Sequence, residues 1–138
     1  MAKRSFPLSK VYGLLEPGPV VLVTTAFDGW PNIMAMSWHT MLEFEPPLLG
    51  CVISSRNHSF ALLTASNDCV VNIPTVDLAE KVVNCGNTSG ADIDKFAAFG
   101  LTPKPAAQIS SAGWPTPAWW NCMAYLSLRC SRPGPIPQ

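Results

Sequence analysis

The chain has 138 residues, enough for one domain with a real core and too few for two ordinary ones. It is 48% hydrophobic and 13% charged, a balance that excludes an intrinsically disordered chain. Nine basic and nine acidic side chains cancel, and no basic run extends beyond Lys3-Arg4, so nucleic acid as the main partner is excluded for want of a concentrated positive surface.

In chain order, a polar lead-in gives way to "EPGPVVLVTTA", a turn followed by a β-branched run that predicts a strand over 20–25. In "FDGW" the pair Asp28-Gly29 predicts a two-residue hairpin turn, with the returning strand, "NIMAMSW", over 32–38. Two prolines at 46 and 47 break any helix and admit a loop or a strand edge over 43–47. "LLGCVI", apolar with Gly50 inside, predicts a buried third strand. A short helix is expected over 59–66 with Asn57 or Ser59 as its N-cap. The run "CVVNIP" is a fourth strand.

Thr75 or Asp77 caps the next helix, which runs to Asn84 with Gly86 in the left-handed position just past its end. "GNTSGAD" is a loop, and Asp92 opens a last short helix that Gly100 stops after Phe99. The stretch "SSAGWPTPAWW" precedes one more strand over 122–130, and "SRPGPIPQ" closes the chain. Strands dominate and hairpins come first. The expected class is therefore mainly β with short helices, an antiparallel sheet or small barrel rather than a doubly wound parallel sheet.

No apolar stretch reaches the ~20 residues that span a bilayer. Residues 1–7 lack the apolar segment of a secretion signal, so the expected address is cytoplasmic. Cys51, Cys69, Cys85, Cys122 and Cys130 are odd in number and scattered, with no close metal-type pair. Buried reduced thiols are expected, without disulfides or a metal. The low charge suits a chain that hides part of its surface against a second subunit.

The stretch that asks for an explanation is "ISSRNHSF", where an apolar run stops and Ser54, Ser55, Arg56, Asn57, His58 and Ser59 follow in unbroken order. Arg56 is the only arginine between Arg4 and Arg129. A helix N-terminus has unsatisfied N–H groups and a partial positive charge, and serine hydroxyls, an amide and a guanidinium beside it would cradle a phosphate. From these residues alone, plain capping by Asn57 and Ser59 with a solvated Arg56 serves as well.

The strand "NIMAMSWHT" alternates, with Asn32, Met34, Met36 and Trp38 on one face and Ile33, Ala35, Ser37 and His39 on the other. Met36 and Trp38 read as core. Small Ala35 and Ser37 would let a flat ring lie close to backbone groups that can bond its edge. His39 stands next to this site, although a structural or solvated histidine accounts for it as well.

Four segments in this order resemble the flavin reductase-like family, whose fold is the FMN-binding split barrel: "PGPVVLVTTAFDGWPNIMAMSW", "PPLLGCVISSRNHSF", "CVVNIPTVDLAEKV" and "CGNTSGADIDKFAAFGLT". The resemblance runs over about residues 8–107 and is closest to the flavoredoxin-type branch. It implies FMN as cofactor, with ring contacts along Asn32, Met34, Ala35, Met36, Ser37 and Trp38, and the phosphate held at residues 54–59. It also implies that the loop from Cys85 and Gly86 to Gly90 lies toward the flavin and its substrate. Asp92, Asp94 and Lys95 belong to the same motif and are read as cap and helix-surface residues.

The activity implied is hydride or electron transfer from NAD(P)H to flavin by a homodimer. The alternatives are an FMN-bearing carrier that passes electrons to a protein acceptor, or an inactive, C-terminally truncated member. No Gly-x-Gly-x-x-Gly follows a strand, so NAD(P)H would dock over the flavin without a Rossmann domain. Hydride transfer needs no protein acid or base, and no catalytic side chain is assigned. Residues 1–130 are read as the flavin reductase-like domain and 131–138 as a Pro-rich tail that cannot serve as a central strand.

Overall fold

The computed structural model describes residues 18–45, 47–105, 117–119 and 122–129. Strand β1 (Val21–Phe27) is buried for six of its seven residues, as its apolar and β-branched sequence requires of a strand covered on both faces. It turns through Asp28 (φ 49°) and Gly29 (φ 81°). Two consecutive left-handed residues make the type I′ turn whose twist matches the strands it joins. The returning strand β2 (Trp30–Met36) pairs antiparallel with β1, from Phe27 opposite Trp30 to Val21 opposite Met36. It ends two residues before the expected limit, so Ser37 and Trp38 lie beyond it.

A strand absent from the sequence reading follows. β3 (His39–Phe44) pairs with β4 (Pro47–Cys51) in a separate two-stranded ribbon whose register shifts between Met41 and Glu43. The run "LLGCVI", expected as a buried strand, supplies this ribbon instead and is largely exposed, Leu48 at 48% and Val52 at 62%. Its strand partner is the equally exposed β3, and of the run only Leu49 and Ile53 pack against the core of the main sheet. Cys51 is accordingly exposed, against the expectation of burial, while Cys69 and Cys85 are buried free thiols.

Helix α1 (His58–Ser66) starts one residue earlier than predicted, after an extended Asn57, and stops at left-handed Asn67. β5 (Asp68–Pro74) leads into a 3₁₀ turn at Val76–Leu78 and then α2 (Ala79–Asn87). Gly86 lies inside the last turn of α2, not past it in the left-handed position. Buried Val82 and Cys85 keep the helix packed on the core, and the Thr88 hydroxyl donates to the Asn84 carbonyl at 2.6 Å, closing the end.

The next helix, α3 (Lys95–Ala98), starts three residues later than expected because Asp94, not Asp92, is its cap. The Asp94 carboxylate accepts the N–H groups of Phe96 at 2.9 Å and Ala97 at 3.2 Å. Gly100 ends the segment with a φ of 58°, as predicted. β6 (Pro103–Pro105) and β7 (Pro117–Trp119) form a second small ribbon, and β8 (Cys122–Arg129) is the last described strand. The Pro-rich tail at 131–138 lies outside the described residues.

The main sheet is antiparallel, in the order β2-β1-β5-β8, so β2 is an edge. One face packs Leu22 and Ile33 against Leu78, Val82, Cys85, Phe96 and Leu101, under α2 and α3. The other packs Val21, Val23, Met36, Cys69 and Val71 beneath Leu63 of α1 and Leu49 of β4. Met34 and Met36 join the second cluster while Ile33 and Ala35 join the first, the alternation that a period of two dictates. Between β1 and β5 the buried Asn72 amide donates to the carbonyls of Leu22 at 3.0 Å and Val70 at 3.2 Å, fixing the strands' register with polar bonds. Among the described residues no helix is long and apolar enough to cross a membrane.

Candidate functional site

A two-residue hairpin closed by Phe27 and Trp30 determines which groups of β2 point where. Alternate residues Asn32, Met34 and Met36 exchange backbone bonds with β1, so Ile33 and Ala35 direct their N–H and C=O groups outward. Among the described residues no strand pairs with that edge. A cavity of about 280 Å³ runs beside it, with Asn32, Met34 and Ala35 on the strand side.

One end of the cavity is the start of α1, through Arg56, Asn57, His58 and Ser59. The corner is shaped by Ser54, whose carbonyl accepts the Asn57 N–H at 3.0 Å and whose hydroxyl accepts the Arg56 N–H at 3.3 Å. The Asn57 side chain makes no cap bond, so it leaves the first turn of α1 free to meet a ligand. Ser59 is buried, and its hydroxyl oxygen accepts the Asn32 side-chain amide at 2.7 Å. That bond ties the helix start to the edge strand.

The opposite wall is the end of α2 and the turn after it, Cys85, Gly86, Asn87, Thr88, Ser89 and Gly90. Two glycines let this wall approach. A Cβ on Gly86 would sit 3.5 Å from the Ala35 Cβ, an ordinary contact on the cavity floor. A Cβ on Gly90 would collide with the Asn32 side chain, with Cγ only 2.7 Å away. Lys95 completes the wall, buried at 5% exposure, its ammonium donating to the Cys85 carbonyl at 2.8 Å. Burial lowers the Lys95 pKa, an effect the neighbouring Cys85 partly offsets; burial raises the Cys85 thiol, and Lys95 partly offsets that.

Of the residues singled out in the sequence, the fold gathers Asn32, Met34, Ala35, Arg56, Asn57, His58, Ser59, Cys85 and Gly86 around one cavity. Met36 does not reach it and packs in the core. Ser37 and Trp38 lie past the end of β2, and Trp38 is half-exposed rather than core. Ser54 and Ser55 are exposed and shape the corner from outside the wall. His39 stands apart, with Nε2 2.9 Å from the Pro19 carbonyl.

The loop to Gly90, which the resemblance implied would lie toward the ligand, brings Asn87, Thr88 and Ser89 into the wall, while Lys95, expected on a helix surface, is buried. A signal existed in its neighbour Phe96, a large apolar residue that must face the core and draws a one-turn helix inward with it. Among the described residues the wall holds two cationic side chains, several amides and hydroxyls, and no carboxylate. Such a donor set receives an anion. Among the described residues no cluster of histidine, cysteine or acidic side chains could hold a metal ion.

Residues 14–133 match the family model described as flavin reductase like domain. The Escherichia coli protein YddH, itself uncharacterized, is 35% identical over 119 residues, 84% of this chain and 60% of YddH. Flavoredoxin of Desulfovibrio vulgaris superposes with a TM-score of 0.74 at 25% identity, covering 94% of this chain and 64% of flavoredoxin. An FMN-binding domain of a flavin reductases-like enzyme from Shewanella baltica superposes with a TM-score of 0.70 at 30% identity, covering 90% of this chain and 63% of its own. The chain thus spans less than two thirds of the length of each of these proteins.

Proposed function

Because the chain belongs to the flavin reductase like domain family, with the mainly β split-barrel fold of its structural relatives, we propose that it binds FMN and serves as a flavin-dependent oxidoreductase. The observation that carries this reading is the cavity itself, which among the described residues has an unpaired strand edge, a helix start beside Arg56, and a wall without a carboxylate. The residues fit the group. Gly86 and Ala35 leave a smooth floor where a planar ring can lie, and the outward N–H and C=O groups of Ile33 and Ala35 can bond its edge. Arg56, Asn57, His58 and Ser59 surround the position where a helix start attracts the phosphate. When bound, the flavin supplies the hydride and electron chemistry.

The chain's own part is to bind, orient and screen. Arg56 offers a two-pronged contact to phosphate oxygens, and the Asn32–Ser59 bond holds the phosphate corner against the ring floor. The electron donor is NAD(P)H, which docks over the ring from the solvent side. A second reading, favoured by the likeness to flavoredoxin, keeps FMN bound and passes electrons to a protein acceptor. The assembly proposed is a homodimer, supported by the apolar β3–β4 ribbon, where Leu42 is 64% and Phe44 85% exposed.

The decisive experiment is the absorbance spectrum of the protein with FMN, before and after addition of NADPH or NADH. A perturbed flavin spectrum that bleaches is the expected result, and unaltered free-flavin absorbance would refute the reading. Steady nicotinamide consumption with excess free flavin separates the reductase from the carrier. In the same assay Arg56→Ala should weaken FMN about ten- to a hundredfold, from the ~1.5–3 kcal/mol of a charge-assisted bond, and leave riboflavin unchanged. Light scattering with and without FMN tests the dimer; a soluble monomer that holds FMN tightly would remove that claim.

A further inference from the structure

Of the two cationic side chains in the wall, Arg56 and Lys95, the phosphate reading does not use Lys95. An ammonium has three N–H donors and is costly to bury without an opposite charge. Here the only partner among the described residues is a neutral one, the Cys85 carbonyl at 2.8 Å. The nearest carboxylate in sequence, Asp94, accepts the N–H groups of Phe96 and Ala97 as the cap of α3. Lys95 is 5% exposed, so solvent does little to compensate it, and it faces the cavity. A C-terminal carbonyl of α2 accounts for one donor through the helix dipole. Two donors and the charge remain.

The β2 side of the cavity meets the two charged walls at different points along the strand. Asn32 bonds Ser59 at the Arg56 end, while Ala35 faces Gly86 beside Cys85 and Lys95. Three residues of strand place these two points ~10 Å apart. A phosphate held at the first leaves the second to whatever the ligand carries at its far end. On the FMN reading, that is the isoalloxazine ring. A hydride delivers two electrons and one proton from a reduced nicotinamide, so the ring that receives it gains one negative charge until a second proton arrives.

We propose that Lys95 is the countercharge for the reduced ring, a positioning residue that makes the protein bind reduced flavin more tightly than oxidised flavin and so raises the flavin's reduction potential. This rests on the FMN reading above. It assigns the two cations different tasks, Arg56 the phosphate and Lys95 the ring. The lowered pKa of Lys95 is the expected mark of a buried cation whose partner is absent.

Lys95→Gln keeps a donor for the Cys85 carbonyl and removes only the charge, so it separates this role from a structural one. The expected result is an approximately tenfold loss of preference for reduced over oxidised FMN, read as a potential about 30 mV more negative. The ratio of FMN to riboflavin affinity should stay at the wild-type value. A potential equal to that of the wild type overturns the proposal, and so does a selective loss of FMN, which would make Lys95 a phosphate ligand.

If the variant does not fold, the wild-type holoprotein still decides. Sulfite adds to the ring and leaves it negatively charged, so it should bleach the bound flavin at lower concentration than free FMN. Bleaching no easier than that of free FMN overturns the assignment of Lys95 while leaving FMN binding intact. A wild-type protein that binds no FMN overturns the flavin reading itself and this one with it.

Discussion

The contact between Gly90 and Asn32 makes a quantitative test of how the cavity is built. Replacing Gly90 with alanine puts a methyl group into the space of the Asn32 side chain, whose Cγ lies 2.7 Å from the new atom. Asn32 is 4% exposed and held by its bond to Ser59, itself 2% exposed, so it can yield only by breaking a buried hydrogen bond. Leaving such partners unsatisfied costs about 1–3 kcal/mol. For a chain of 138 residues that corresponds to a fall in Tm of about 3–10 °C. Asn32→Ala should cost a similar amount by itself, because it strands the Ser59 hydroxyl. The double variant should then cost little more than Asn32→Ala alone, since the methyl group would be left with only the tight 3.3 Å approach to the edge of the His58 ring. Thermal and denaturant unfolding of the four proteins gives the coupling directly. If Gly90→Ala costs the same with and without Asn32, or is neutral in the wild type, the wall is not held against the strand by this contact.

Gly86→Ala should move stability and binding in opposite directions. The helix gains up to about 1 kcal/mol from the substitution, because the new Cβ meets only Ala35 at 3.5 Å, while the methyl group on the cavity floor weakens FMN. Equilibrium unfolding and a flavin titration of one preparation check both. Thr25 is fully buried and its hydroxyl has no partner among the described residues, so Thr25→Val should stabilise the fold by about 1 kcal/mol or more in denaturant titrations. Exposed Cys51 should react with iodoacetamide well before Cys85, whose thiol burial holds above its usual range; peptide mapping reads the order, and equal rates would refute the placement.

Much of the fold was legible where local chemistry leaves one solution. Asp28-Gly29 specifies a left-handed pair, and only a I′ hairpin uses one. The alternation of "NIMAM" specifies two faces whichever elements cover them. The reading failed where the answer depends on what packs against a segment from far along the chain. "LLGCVI" is apolar enough for a buried strand, yet its pairing with β3 leaves it at the surface. Gly86 suits a helix stop, but Cys85 beside it is needed in the core and carries the helix onward. Lys95 looked like a surface cation because a four-residue helix has no periodicity to show which side faces inward. The donor cluster at the start of α1 was legible as a run of polar residues; that Lys95 lines the same cavity was not, because the two segments meet only across β2.

The outward backbone of β2 carries a consequence for handling the protein. A free strand edge accepts any extended chain that offers N–H and C=O groups at strand spacing, another copy of the same protein included. On the proposed binding mode, a flavin ring lying along this edge would take the place of an intruding strand. Protein purified without flavin should thicken and scatter light on concentration, and saturating FMN added before concentration should prevent it, at a dose set by occupancy of the cavity and not by ionic strength.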